Sequence, residues 1–390
     1  MKQLLKDIAT IGAGQGAPQG DENYCNKGIP FVKAGNLQEL LDGKDINNIQ
    51  QVSKEVAQKH KLKLYPKGTI LFAKSGMSCM KGFVYVLPQE AYVVSHLACI
   101  TPNDDVSEYL RFYFNFHRPN RLVKDAAYPS ISLSDIGNLE IDMKTEFERT
   151  TIIKQLRCIE SVISLRQQEL CQLDDLIKAR FVEMFGSIHD GKFEMKTLPE
   201  IVSSDRNSIK RGPFGGALKK DDFAEEGYLV YEQRHAIHND FEYAKYYITQ
   251  EKYEDMIGFK VVPGDLIISC SGVTLGRIAE VPNGAKEGII NQALLKLSLN
   301  QELMMNTFFI QQFRGEEIQE ILFGFSRGSG IPNMPSMSEV KAVKFVCPPL
   351  ELQKQYCDFV HQVDKSKVVV QKALDEAETL MNALMQKYFG

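Results

Sequence analysis

Residues Glu148 to Gly186 read ERTTIIKQLRCIESVISLRQQELCQLDDLIKARFVEMFG, and their pattern decides the fold. Apolar residues fall at Ile152, Leu156, Ile159, Ile163, Leu170, Leu173, Ile177 and Met184, three and four apart, with Arg166 and Arg180 in the two remaining slots. That spacing is the heptad seam of a coiled-coil helix. A helix of this length spans roughly 55 Å, well beyond an ordinary globular helix. Shifting the ten positions by 204 lands on Tyr356, Val360, Val363, Lys367, Val370, Leu374, Ala377, Met381, Leu384 and Tyr388, again mostly apolar. The chain is therefore one plan written twice. Two antiparallel helices could bury these seams against each other, the start of one against the end of the other. Arg166, Arg180 and Lys367 should then snorkel or pair.

Working outward from the seams, each helix follows a globular segment with matching landmarks. Leu5-Lys6-Asp7-Ile8 and Leu198-Pro199-Glu200-Ile201 open the two copies as short helical turns. Loops are expected at Gly12–Asn26 and Arg206–Lys220. The strands Ile29–Val32 and Tyr228–Tyr231 follow, each running into polar residues at its end: Lys33 and Asn36 in one copy, Gln233, Arg234 and His235 in the other. Short helices at Ser53–Lys61 and Thr249–Met256 lead to the firmest match. Gly68-Thr-Ile-Leu-Phe-Ala-Lys-Ser-Gly76 corresponds to Gly264-Asp-Leu-Ile-Ile-Ser-Cys-Ser-Gly272 at an offset of 196. Strands at Phe83–Leu87 with Tyr92–Ile100, and at Arg277–Val281 with Gly288–Leu297, complete a small mixed or antiparallel sheet in each copy. Helices at Ser107–Asn115 and Gln301–Gln312 come next. Each copy then carries a polar late loop, Tyr128–Ser132 and Ser326–Asn333, before an N-capped turn and a last strand.

The 390 residues, 44% of them hydrophobic and 25% charged, describe an ordinary globular chain of two or three domains. A formal net charge of −4 does not advertise nucleic acid, so DNA phosphates would have to be met by local patches or by a more basic partner. Eight scattered cysteines without a C-x-x-C pair read as reduced thiols of an intracellular protein. The N-terminus shows no signal-peptide pattern and no run approaches eighteen apolar residues, so a cytoplasmic, unanchored protein without membrane partners is expected.

Catalytic chemistry finds no constellation. Gly12-Ala-Gly14-Gln-Gly16 is followed by Ala17-Pro18-Gln19-Gly20-Asp21, a loop sequence, whereas a nucleotide or S-adenosylmethionine site needs a helix there. A backbone-rich loop that can approach DNA is the better reading. The base-gripping tetrad of an adenine methyltransferase is absent, since Cys347-Pro348-Pro349-Leu350 lacks both its amide and its aromatic. No P-loop occurs, and the seven histidines show no metal-ligand spacing. No catalytic residue, cofactor or metal is therefore expected.

Recognition chemistry remains. In the second copy it gathers at Lys210, Arg211, Phe214, Lys219, Lys220, Gln233, Arg234 and His235, with Arg327 in the late loop. In the first copy the same places hold Gln15, Lys33, Asn36, Lys74, Ser75 and Lys81. Arg and Lys suit guanine and phosphate, Asn and Gln suit adenine, and glycines admit close backbone approach. The polar loops differ between copies while the strands around them match, as expected of two modules that read different partners.

On the doubled Gly68…Lys74-Ser75-Gly76 and Gly264…Ser271-Gly272 strands, the Ile209–Gly215 opening and the Pro348-Pro-Leu-Glu-Leu-Gln353 run, the chain resembles the specificity subunits of type I restriction-modification systems. The first long helix departs from the family's proline-leucine-x-glutamate-glutamine start, keeping only Glu148. The resemblance implies an α+β fold: two pseudo-symmetric α/β target-recognition domains separated by two long antiparallel coiled-coil helices. Recognition domains are expected at 1–145 and 191–348, and spacer helices at 146–190 and 349–390, with Leu156, Ile163, Leu170, Leu173, Ile177, Val360, Val370, Leu374 and Met381 in the seam. It also implies a non-catalytic subunit that binds double-stranded DNA, docks two methyltransferase subunits and is joined by motor-endonuclease subunits. The alternatives are a non-DNA coiled-coil scaffold and the DNA-binding part of a type II-like restriction-methylation enzyme.

Overall fold

The computed structural model describes residues 2–187, 190–214, 216–324 and 332–390. These form two compact units, Met1–Gln167 with Lys372–Gly390, and Gln168–Gln371. Each unit joins one globular domain to the first part of one long helix and the last part of the other.

The long helices run Glu146–Phe185 and Leu350–Phe389. Every seam position is buried or half-buried, while its neighbours along the helix are mostly exposed. In the first unit Ile152, Leu156, Met385 and Phe389 join the domain core, and the Tyr388 hydroxyl bonds Gln155. In the second unit Asp174 meets Lys367 at 2.5 Å, the Arg180 guanidinium lies over the Phe359 ring and Phe185 packs on Tyr356. One index rises as the other falls, so these helices pair antiparallel. The charged seam residues behave as their chemistry requires: Lys367 pairs with Asp174 and Asp364, and Arg180 with Glu183.

The starts of the two helices are held by equivalent bonds from dissimilar side chains. The fully buried Gln353 donates to the carbonyls of Pro348 and Leu303, both at 2.8 Å, and accepts from Met305 N–H at 2.9 Å. Arg149 stands 204 residues earlier and donates to the Lys144 carbonyl at 2.8 Å, the counterpart of Pro348. The glutamine of the Pro-Pro-Leu-Glu-Leu-Gln run is thus a structural clamp. Three bonds in a dry site make its loss expensive, because the partners are left unpaired. Gln353→Ala is expected to lower the stability of the second unit by about 3 kcal/mol, read as a shifted urea midpoint at unchanged m-value. The same clamp delays the neighbouring helix. A helix was expected at Gln301–Gln312, but with the Met305 N–H given to Gln353, and Asn306 tied to Gln301 and the Gly264 carbonyl, it runs Asn306–Arg314.

The expected single sheet in each domain is two sheets. In the first unit, one is antiparallel in the order Ala9–Ala13, Leu97–Pro102, Ile70–Ala73, Tyr85–Val86. The other runs Gln51–Val52, Ile29–Val32, Ala91–Val93, Leu64–Tyr65, with its central pair parallel. The apolar run Tyr92–Ile100 switches sheets at a tight turn closed by Leu97 N–H to the Val94 carbonyl. The second unit repeats this. An antiparallel sheet, Ile209–Arg211, Leu294–Leu297, Leu266–Ser269, Ile278–Glu280, accompanies a five-stranded one in which Tyr228–Tyr231 and Gly288–Ile290 lie parallel. Short ribbons, Lys2–Leu4 with Glu140–Asp142 and Met195–Thr197 with Lys344–Val346, bring each domain's start beside the start of a long helix.

Three loop expectations also change. The Gly12–Asn26 loop begins inside the strand Ala9–Ala13, the Arg206–Lys220 loop contains the strand Ile209–Arg211, and the polar residues after the strands Ile29–Val32 and Tyr228–Tyr231 open short helices, Asn36–Leu41 and Gln233–His238.

Candidate nucleic-acid interface

The sheet switch and the Ser-Gly turn meet in each domain, and of the expected contact residues Arg211, Phe214 and Gln233 in one copy and Lys74 and Ser75 in the other lie there. In the second unit, strand Ile209–Arg211 ends at Gly212, whose N–H donates to the Leu294 carbonyl at 2.8 Å. A Cβ on Gly212 would sit 1.8 Å from the Asn291 carbonyl oxygen, so only glycine lets the chain cross this turn. Gly14 makes the same crossing in the first unit, where a Cβ would meet the Val93 carbonyl oxygen at 2.1 Å. Within the Gly12–Gly16 run, Gly14 therefore serves strand crossing inside the domain.

The strands Ile70–Ala73 and Leu266–Ser269 run on into Ser75-Gly76 and Ser271-Gly272, and the late loop clips onto this end identically in both. Gly76 N–H donates to the Pro129 carbonyl at 3.0 Å and Gly272 N–H to the Pro332 carbonyl at 2.8 Å, with backbone bridges Ser75–Ser130 and Ser271–Asn333. Around this clip in the second unit, Gln233 donates to Ser271 Oγ at 2.7 Å and Arg211 Nη2 to Asn333 Oδ1 at 3.1 Å. The Arg211 guanidinium also lies 5.4 Å from the centroid of the exposed Phe214 ring. Beneath them, burial pushes the Cys270 thiol up to about 12, so it is an inert floor. Arginine, amide, hydroxyl and ring thus form one contiguous cluster. In the first unit Ser75 Oγ bonds His96 Nδ1 at 2.8 Å, the Lys74 N–H bonds the His96 carbonyl, and exposed Tyr128 stands on the clipped loop.

The remaining expected contact residues are placed as follows. The Gln15 side chain is spent on the backbone of Lys61 and Lys63, fixing that segment. Lys33 reaches Gln50 and lies over the Tyr24 ring, beside a polar cleft lined by Tyr24, Asn47, Gln50 and Gln51, and Asn36 caps the Lys33 N–H. Lys81 is exposed near Phe83, and Lys219 and Lys220 are exposed beside the turn Lys220–Asp222. Lys210 alternates with Arg211 along its strand and lies over Phe259, outside the cluster. Arg234 is braced on the Tyr243 ring and Asp240. His235 corrects the expectation outright. It is 0% exposed, its Nδ1 accepts from Glu232 N–H and its Nε2 donates to the Tyr243 carbonyl, so it is a core bracket with no face for a ligand. Arg327 lies outside the described residues. His96, Tyr128, Ser130, Ser271 and Asn333 belong to the clusters and were missed. The Ser75–Ser271 match was the available signal for Ser271.

Among the described residues, no group of three or more His, Cys, Asp or Glu side chains could hold a metal, and no helix is long and apolar enough to cross a membrane.

Comparison with known proteins agrees with this architecture. Two solved chains share the fold over the full chain. The S subunit of a type I restriction-modification system from M. genitalium is 17% identical with a TM-score of 0.53 over 96% of that chain. A chain from work on complex assembly and conformational transition of the type I R-M system is 15% identical with a TM-score of 0.60 over 97% of that chain. The type I restriction enzyme MjaIX specificity subunit of Methanocaldococcus jannaschii is 30% identical over 141 residues, 34% of this chain. That match spans only 31% of the relative's own length. The family described as type I restriction modification DNA specificity domain matches residues 2–169 and again 193–378, most of the chain, and the protein belongs to that family.

Proposed function

We propose that the chain is the DNA-specificity subunit of a type I restriction-modification complex and is itself non-catalytic. Each recognition domain, 1–145 and 191–348, reads one half of a bipartite double-stranded target. The spacer helices, 146–190 and 349–390, set the separation of the halves. The observation that carries this reading is the strand-end clip built twice on one backbone plan with different polar side chains. Two equal scaffolds bearing unequal donors and acceptors are suited to two unequal half-sites. The long helices keep exposed apolar side chains outside the seam, among them Leu165, Val182, Val368 and Val369, which suit them to dock two methyltransferase subunits. Motor-endonuclease subunits complete the assembly. With a net charge of −4, part of the phosphate neutralisation falls to those partners.

The test is selection from a random duplex pool by the full chain, with and without a methyltransferase partner. Two constant half-sites at a fixed spacing are expected. Enrichment of no bipartite sequence in either arm would overturn the proposal and leave a coiled-coil scaffold as the better account.

A further inference from the structure

Met77 and Val273 occupy equivalent positions, 196 residues apart, one residue after the Ser-Gly strand end. Both are large apolar side chains held in water, 72% and 98% exposed. A single exposed apolar residue is unremarkable on a protein surface. Here the same exposure recurs at the tip of the same turn in two domains whose polar residues differ.

The turns are rigidly built. Gly76 and Gly272 take φ of +74° and +80°, a region that glycine adopts without strain. Cys79 N–H returns to the Gly76 carbonyl at 3.0 Å and Leu275 N–H to the Gly272 carbonyl at 3.1 Å, which leaves Met77 and Val273 at the tips. The clip to Pro129 and to Pro332 fixes each turn from the other side. The tips also stand beside the hydrogen-bonding groups of the candidate interface: Ser75 with His96, and Ser271 with Gln233.

An apolar knob among donors and acceptors matches the major-groove edge of DNA, where the one apolar group among the base donors and acceptors is the C5-methyl of thymine. A phosphate contact would give such a side chain nothing. Resting on the specificity-subunit reading above, we infer that Met77 and Val273 are specificity-determining residues, each packing on a thymine methyl in the half-site read by its own domain. Val273 is short and β-branched, which suits methyl contact and makes it a poor wedge between bases.

The test uses the full chain with its methyltransferase partner on the selected duplex, with each thymine replaced in turn by deoxyuridine. Wild-type protein is expected to lose about fourfold in affinity at one thymine of each half-site, the worth of one buried methyl-sized group. Val273→Ala is expected to lose a similar factor on the thymine duplex and to become indifferent to the methyl in one half-site only. Met77→Ala is expected to do the same in the other. Val273→Thr, which keeps one methyl, should retain the sensitivity. Circular dichroism should be unchanged, since both tips lie outside the core. Wild-type affinity in both alanine variants, or a loss that ignores the methyl, overturns the inference while the selected bipartite site stands. Failure of wild-type protein to select any site instead removes the specificity reading beneath it.

Discussion

Leu156→Asp is expected to abolish the cooperative fold of the first unit, whereas Leu165→Asp on the same helix is expected to leave it intact. Leu156 is 0% exposed and belongs to the core that also holds Ile152, Met385 and Phe389. Removing a buried leucine costs about 2–5 kcal/mol by itself, and a carboxylate in the same place adds the cost of an unpaired buried charge. The sum reaches the whole stability of a typical domain. Leu165 is mostly exposed, and its replacement should change stability by no more than about 0.5 kcal/mol. Amide hydrogen exchange separates the outcomes: protection of the strands Ile70–Ala73 and Leu97–Pro102 should collapse in the first variant and persist in the second. Equal protection in both would mean that the seam register is wrong. Charges at Leu170 and Leu374 test the same seam at graded depth, Leu170 half-buried and Leu374 buried, so the second should cost more.

The seam was legible because burial along a long helix repeats every seven residues, and forty residues give the period room to show. Sheet assignment was not legible. The run Tyr92–Ile100 is apolar almost throughout, and no glycine or proline marks where it turns. Its direction is set by partners distant in sequence: Phe31 and Val32 lie parallel to its first part, and Ile70 to Ala73 antiparallel to its second. His235 was misjudged for a related reason. In the polar run Glu232-Gln-Arg-His235 every residue looks solvated, but a short helix turns one face inward, and there the imidazole satisfies both ring nitrogens on backbone groups. The clip between late loop and strand end lay beyond local pattern as well. It joins segments more than fifty residues apart, and only the repeated Ser-Gly hinted at it. Polar composition located the candidate interface, and tertiary pairing decided which polar residues face outward.

Arg211→Ala is expected to weaken binding to one half-site by about 10- to 100-fold, the range of a lost bidentate base contact, and to relax sequence preference there. Its position argues for base reading over phosphate contact. The guanidinium is steadied by Asn333 on one side and the Phe214 ring on the other, which fixes the plane of the fork. A side chain held in this way loses little freedom on binding and discriminates by geometry. Arg211→Lys should therefore fail to restore the preference, although it restores the charge. Arg234 offers the contrast. Stacked on Tyr243 and paired with Asp240, it is already compensated within the domain, so Arg234→Ala should cost less than Arg211→Ala. Lys219→Ala serves as the phosphate control: exposed beside its turn, it should lower affinity on all duplexes alike and flatten the salt dependence by about one unit of slope. Binding measured across salt concentrations, on duplexes altered in one half-site at a time, distinguishes these results. A uniform loss for Arg211→Ala, rescued by lysine, would make Arg211 a phosphate contact and move base reading in this domain to Gln233 and Asn333, the two amides of the cluster, whose side chains can pair with a base edge in two places.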